Sequence, residues 1–429
     1  MIAGIVSSVI FLAVLFLIFS EKLNRTIASL AGAVLMVIAG LLLHFYTESQ
    51  AVAAVDFNTI GLLLGMMIIV AILEPTGFFQ YLAIQVGRKS KGSPVRLLVL
   101  LGTITTVVSM FLDNVTTVVL IAPVTILICE IIGLNPQPYL LAEAILSDTG
   151  GIATLIGDPP NILIGSAAGL TFLDFITHSL PIVVIVWLVA LLALRILYRK
   201  DLALVPSNLD ALQELSPSSA FSDRKSARKV LIILGFAVVF FFLEGVLHVR
   251  PALIALSAAA SALVWIRPPI QEVLKRIQWD LLVFFAALFV MIGGLEATGV
   301  MGMLANLITQ AKDLSPVLLG LSILWGVALL SAVVDNVPIT IALIPVIQGL
   351  ANSGVDVTPL WWALVFGAGL GGNGTVIGSS ANIIVASLSE KTQSPITPAT
   401  WNKKGLPVMF VTCVVASILY VLLFGYLSR

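Results

Sequence analysis

Charge is what this chain has least of. Only 10% of its 429 residues are Asp, Glu, Lys or Arg, and 22 basic residues balance 22 acidic ones, so no basic surface for nucleic acid is expected. Cysteine is sparse too. Cys129 and Cys413 lie far apart in apolar surroundings, which argues against a disulfide framework or a CxxC metal site and reads as two buried small hydrophobes. His44, His178 and His248 fall near the ends of apolar runs without metal-ligand spacing, and the seven tryptophans read as packing or interface anchors. Neither a metal nor a cofactor is expected. The first apolar run, from Met1, follows no basic region and precedes no small-residue cleavage site, so it reads as a retained transmembrane helix.

Apolar length is what the chain has in excess. Hydrophobic residues make up 59% of it, in runs that recur from end to end, so the fold class is an all-α polytopic membrane protein. Spans are expected near 2–19, 26–43, 57–85, 139–168 and 172–197, with a split segment at 95–132. A polar, serine-containing stretch at 199–229, with Asp210, Glu214 and Arg224 among its charges, reads as a surface linker. Spans then resume at 230–247, 251–266, 280–306, 360–389 and 404–427, with a second split segment at 316–350. The expected organisation is a first repeat at 1–198, a linker at 199–229 and a second repeat at 230–429.

The repeat is visible residue by residue. Glu74, Gly77, Asp113, Asn114 and Pro123 recur 222 positions later as Glu296, Gly299, Asp335, Asn336 and Pro345. Ser147-Asp-Thr-Gly-Gly-Ile-Ala-Thr-Leu-Ile-Gly-Asp-Pro-Pro-Asn161 interrupts an apolar run with glycines and prolines, and Gly369-Leu-Gly-Gly-Asn-Gly-Thr-Val-Ile-Gly-Ser-Ser-Ala-Asn382 copies it at an offset of 221. Both read as helices broken at the midplane. Each split segment carries Asp-Asn near its middle between arms too short for full spans, which predicts two re-entrant hairpins with inward-pointing tips. Each half then has five transmembrane helices and one hairpin. Five is odd, so the second half is inverted. With the linker cytoplasmic and both termini outside, 19 basic residues fall inside and only Arg250, Lys312 and Arg429 outside, as the positive-inside rule requires.

Carboxyls within spans cost about 2.5 to 3.5 kcal/mol each on insertion scales, so each needs a reason. The candidates are Glu74, Asp113, Glu143, Asp148, Asp158, Glu296 and Asp335, and no Lys or Arg lies mid-span to pair with them. Asp113 and Asp335 at the tips, with Asp148 and Asp158 flanking the first break, are expected to converge and to carry a proton or Na⁺; tip aspartates also suit capping of the arm that follows. Glu74 and Glu296 fit a structural role as well as a functional one. Asn114, Asn161, Asn336, Asn373 and Asn382, with Thr116, Thr117, Thr154, Thr340, Thr375, Ser379 and Ser380, are expected around the substrate, and Gly157 frees backbone at the break. Ile156-Gly157-Asp158 and Pro251-Ala252-Leu253 loosely match intramembrane aspartyl protease signatures, but Leu155 stands where those have glycine, and the chain reads as no enzyme.

Leu155-Ile-Gly-Asp-Pro-Pro-Asn161, Leu112-Asp-Asn-Val-Thr-Thr117 and Val334-Asp-Asn-Val-Pro-Ile339 resemble the arsenite permease and P-protein branch of the ion transporter superfamily, which includes citrate-transporter-like proteins. The resemblance covers essentially the whole chain. It implies a scaffold and a moving transport subdomain, often dimeric, acting by an elevator-like motion. The second copy has Gly378-Ser-Ser-Ala-Asn382 in place of Gly-Asp-Pro-Pro-Asn, so the halves are expected to play unequal roles. The function expected is a proton-coupled arsenite or antimonite efflux antiporter in the cell's inner membrane. The alternative is a Na⁺/H⁺ antiporter or an anion or carboxylate transporter. Expected partners are a small inorganic substrate, a coupling proton or Na⁺ and the lipid bilayer; a homodimer and a soluble ATPase subunit are left open.

Overall fold

The computed structural model describes residues 2–19, 23–207, 216–300 and 315–428. Lys22, Asp210, Glu214, Lys312, Arg429 and the end of the helix expected at 280–306 lie outside them. Among the described residues there are helices, turns and loops but no strand.

In chain order the first half comprises α1 (Ile2–Phe19), α2 (Arg25–Leu42), α3 (Glu48–Ala54), α4 (Phe57–Leu73), α5 (Phe78–Lys89), α6 (Pro94–Ser109), α7 (Asn114–Ile131), α8 (Gln137–Gly151), α9 (Pro159–Ala168) and α10 (Phe172–Leu197). The second comprises α11 (Arg224–Phe242), α12 (Pro251–Ile266), α13 (Ile270–Arg276), α14 (Trp279–Ala297), α15 (Pro316–Ser331), α16 (Asn336–Asn352), α17 (Thr358–Gly371), α18 (Ser380–Ser389) and α19 (Pro398–Leu422). Among the described residues six segments are long and apolar enough to cross a bilayer alone, including Arg25–Leu42, Phe57–Thr76 and Pro398–Leu422; a fourth, Asn114–Ile131, is an arm of the first split segment and is longer than the expectation of short arms allowed. Leu42, Val246 and Val264 stand 70% or more exposed on outward helix faces, which only a hydrocarbon surround would favour.

The halves repeat element by element. Starts of α1 and α11, α3 and α13, α4 and α14, α6 and α15, and α7 and α16 are 222 positions apart, and those of α8 and α17 and of α9 and α18 are 221 apart. The twin of α5 falls outside the described residues. The repeat is inverted: Arg276, just before α14, donates at 2.9 Å to Glu74 at the end of its twin α4, so the two helices run antiparallel. Helix α11 begins at Arg224, capped by Asp223, six residues before the apolar run that announces it.

Small residues set the scaffold's closest approaches. A Cβ at Gly65 of α4 would lie 2.6 Å from the Ala255 carbonyl carbon of α12, which is why these helices can cross at backbone distance. The span expected at 57–85 bends at Glu74–Gly77. There Gly77 takes φ 80°, a region open to glycine, and a Cβ on it would meet the Ala220 carbonyl oxygen at 1.8 Å. The end of the linker seals this elbow, since the Ser222 amide donates to the Thr76 carbonyl at 2.9 Å. The ends of α4 and starts of α14 and α2 therefore share the linker side, Thr26 Oγ1 donating to the Asp280 carbonyl at 3.0 Å.

Both split segments fold back. Gly87, near the end of α5, packs on Ile128 at the end of α7, so the second arm of the first hairpin returns to the helix that leads into the first arm. In the second, Gly320 of α15 and Pro359, at the start of α17, both meet Tyr420. The tips are Met110–Asp113 and Ala332–Asp335.

Candidate functional site

The two breaks are built alike, and side-chain amides build them. Where α8 stops at Gly151, Asn161 Nδ2 donates to the carbonyls of Gly151 at 2.9 Å and Thr154 at 2.8 Å. Where α17 stops, Asn382 Nδ2 donates to Gly372 at 2.8 Å and Thr375 at 2.9 Å. These carbonyls have lost their helical partners, and deep in a membrane something must replace them. Thr154 Oγ1 donates to the Met110 carbonyl and Thr375 Oγ1 to that of Ala332, tying each break to its own tip. Gly157 and Gly378 are required by close approach: a Cβ would stand 2.6 and 2.5 Å from the carbonyls of Gly151 and Gly372. Asn161, Thr154, Asn382 and Thr375 thus lie at the site with their donors spent on the backbone.

The tips differ. Asp113 caps α7, accepting from the Thr116 amide at 2.9 Å and the Thr116 hydroxyl at 2.6 Å. Asn114 accepts from Ser109 Oγ at 2.7 Å, and Thr117 is buried with its hydroxyl unpartnered among the described residues. Asp335 caps α16 through the Val337 amide at 3.3 Å and also accepts from Ser380 Oγ at 2.7 Å and from Arg25 at 3.1 Å.

Contacts across the repeats bring the carboxyls together. Asn336 Nδ2, at the second tip, donates to Asp158 Oδ2 at 3.0 Å, and Ser379 Oγ, at the second break, donates to Asp148 Oδ1 at 3.1 Å. Asn373 Nδ2 reaches Thr149 Oγ1 at 3.4 Å. Asp148, Asp158, Asn336, Asn373 and Ser379 are all buried. Asp113, Asn114, Asp158, Asp335, Asn336 and Ser379 line one cavity of about 40 Å³ with Arg25 and Gln278. By contrast Glu143 is buried on α8 against Thr125, away from this cavity, and Thr340 bonds its own helix through the Asn336 carbonyl. Pro251, from the protease-like signature, opens α12 beside Asn58, at the far end of the scaffold.

Arg25 is the residue the sequence reading missed. It stands at the first turn of α2, stacks over Phe284 at 5.6 Å and reaches a tip 310 positions away. Gln278 was missed as well; its Nε2 donates to Thr116 Oγ1 at 3.3 Å. Both fall between apolar runs, where a search for mid-span charge does not look. The repeat carries no signal for Arg25, which its 222-residue offset pairs with Leu247.

Comparisons with known proteins agree with this architecture. The YdaH transporter of Alcanivorax borkumensis superposes with a TM-score of 0.61 at 18% identity, over 90% of this chain and 89% of that one, a likeness of fold. A 46 kDa membrane protein of Mycobacterium leprae is 37% identical over 97% of both chains, and an uncharacterized transporter of Mycobacterium tuberculosis is 38% identical over the same share. The human P protein is 33% identical across 96% of this chain and 59% of its own length. The family model described as "Citrate transporter" matches residues 15–367, and with relatives this similar over nearly its full length the chain belongs to that family of membrane transporters.

Proposed function

We propose that the chain is a proton-coupled secondary transporter that binds a small, oxygen-rich solute where its two tips and two breaks meet. One observation carries the reading: acceptors outnumber donors there. Asp113, Asp158 and Asp335 line the cavity against one arginine there, Arg25, which is turned on Asp335; Asp148 Oδ2, outside that lining, is buried without a donor among the described residues. Buried acceptors are satisfied by protons on the carboxyls, by a hard cation, or by a solute bringing O–H groups. Neutral As(OH)₃ or Sb(OH)₃ brings three, and 40 Å³ has room for roughly three water-sized groups. Protons returning on Asp148 and Asp158 would then drive efflux. Oxygen-based binding is weak, which suits a solute that must also leave.

This reading takes 1–198 and 230–429 as the repeats and 199–229 as a cytoplasmic linker in the inner membrane, following the charge asymmetry. Transport of a carboxylate, or exchange of Na⁺ for H⁺, is the second reading, favoured by Arg25 and by the family match. Against one arginine the cavity sets Asp113, Asp158 and Asp335, so a multiply charged anion would enter only with a cation. Everted vesicles separate the two. Arsenite uptake that collapses with the pH gradient is the expected result. Uptake indifferent to that gradient excludes proton coupling, and a pH change driven by Na⁺ alone supports the second reading.

A further inference from the structure

We infer that the groove between the starts of α5 and α11 seats an anionic phospholipid, its headgroup phosphate on Arg224, Lys225 and Arg228 and its acyl chains along α11. One face of α11 is built in two parts. Lys225 and Arg228 stand near its start, and Ile232 and Phe236 follow at helical spacing, 40% and 62% exposed. At 1.5 Å per residue this face passes from cation to hydrocarbon within about 16 Å, roughly a headgroup layer and the first part of the bilayer core. Phe78 and Tyr81 of α5 form the opposite wall. Phe221, at the end of the linker, lines the groove too, its ring 4.6 Å from that of Tyr81 and 5.8 Å from the Arg224 guanidinium. The groove measures about 820 Å³, room for a headgroup and the start of its chains rather than for a free phosphate alone.

Among the described residues these three cations have no acidic partner, and their side chains make no hydrogen bond; Arg224 rests on the Phe221 ring. Asp223, the neighbouring carboxylate, is spent on the amides of Lys225 and Ser226, both at 3.0 Å, and on the Ser226 hydroxyl at 2.6 Å. Lys229 turns away, onto the Trp265 carbonyl at 3.1 Å. Tyr81 Oη accepts from Gln85 at 3.2 Å, which leaves its own O–H to donate to a phosphate oxygen. The fold itself does not call for these cations: at the 222-residue offset their twins are Ile2, Ala3 and Val6 at the start of α1. A basic groove that opens onto hydrocarbon is matched by a lipid with a net negative headgroup, each cation near the membrane surface being worth about fivefold in binding. The lipid would touch both α11 of the scaffold and α5, the helix that leads into the first hairpin.

The test uses the full chain in an uncharged detergent and needs no transported solute, so its failure leaves the proposed function untouched. In Ile232→Trp the added indole reports occupancy through quenching by brominated acyl chains, read as the difference from the parent. Brominated phosphatidylglycerol should quench it at a mole fraction at least about tenfold below that needed with brominated phosphatidylcholine. Arg228→Gln alone should weaken the phosphatidylglycerol effect about fivefold, and glutamine at Arg224, Lys225 and Arg228 together should bring the two lipids level. Arg224→Lys with Arg228→Lys should keep the preference, and Tm without lipid checks that each variant folds. Equal quenching by the two lipids, or a preference untouched by the glutamine variants, would overturn the inference. So would loss of quenching on adding millimolar inorganic phosphate, the mark of a free-phosphate site. A preference seen only in Asp210→Asn with Glu214→Gln would overturn it too, giving the groove to an acid of the linker.

Discussion

Replacing Asn161 with Ala tests whether the breaks are braced by side chains or merely lined by them. The change deletes two hydrogen bonds of 2.9 and 2.8 Å and leaves the carbonyls of Gly151 and Thr154 buried without those donors. A buried acceptor left unsatisfied costs about 1 to 3 kcal/mol, so about 3 kcal/mol for the two is a moderate expectation. Spread over 429 residues at about 2.1 cal/mol/K each, that lowers Tm by roughly 3 °C. Asn382→Ala removes the twin bonds and should cost the same within a factor of two. Asn161→Asp keeps the size but loses both donors, and should be at least as damaging. Thermal unfolding in detergent, followed by intrinsic fluorescence, reads all three. If Asn161→Ala leaves Tm within 1 °C of the parent while raising the KM for transport, the amide serves the solute, and the bracing argument is wrong.

Two further variants probe the linker. Gly77→Ala forces a Cβ toward the Ala220 carbonyl at a φ of 80°, and should detach the linker end, seen as faster hydrogen exchange at the Ser222 amide with little change in the tips. Asp223 caps α11 through Lys225 and Ser226, and those bonds hold its carboxyl below the ordinary value of 3.8. A lowered folded value means stabilisation that is present above pH 3.8 and lost as pH falls through the folded value. Asp223→Asn should therefore flatten the acid limb of the stability profile, with stability lowered evenly across pH 5 to 8 and equal to the parent's below the folded value.

The parts of this fold that could be read from sequence are those whose chemistry is local. A break within a membrane helix needs glycine for close approach and an amide to replace lost helical bonds, so Gly157, Gly378, Asn161 and Asn382 kept their spacing through the duplication. The hairpins showed themselves through Asp-Asn at their tips, although the arm Asn114–Ile131 is long enough to cross alone. Helices α3 and α13 did not, because seven residues lying outside the apolar runs leave no span-length signal. Nor could spacing tell that the asparagines spend their donors on the backbone, since which groups a broken helix leaves bare depends on how its ends are set in space. Arg25 was hidden for a related reason: its partner is distant in sequence and adjacent only when the tips stand at the linker side.

The most direct test of the account compares the parent with Asp158→Asn and Asp148→Asn in proteoliposomes carrying a lumenal pH dye. Tm in detergent confirms that each variant folds. An outward solute gradient should move protons in the parent and none in either variant, because both carboxyls lie buried where the tips and breaks meet. Proton movement at the parent rate in a folded Asp158→Asn protein would contradict the account and leave the first break a structural feature alone.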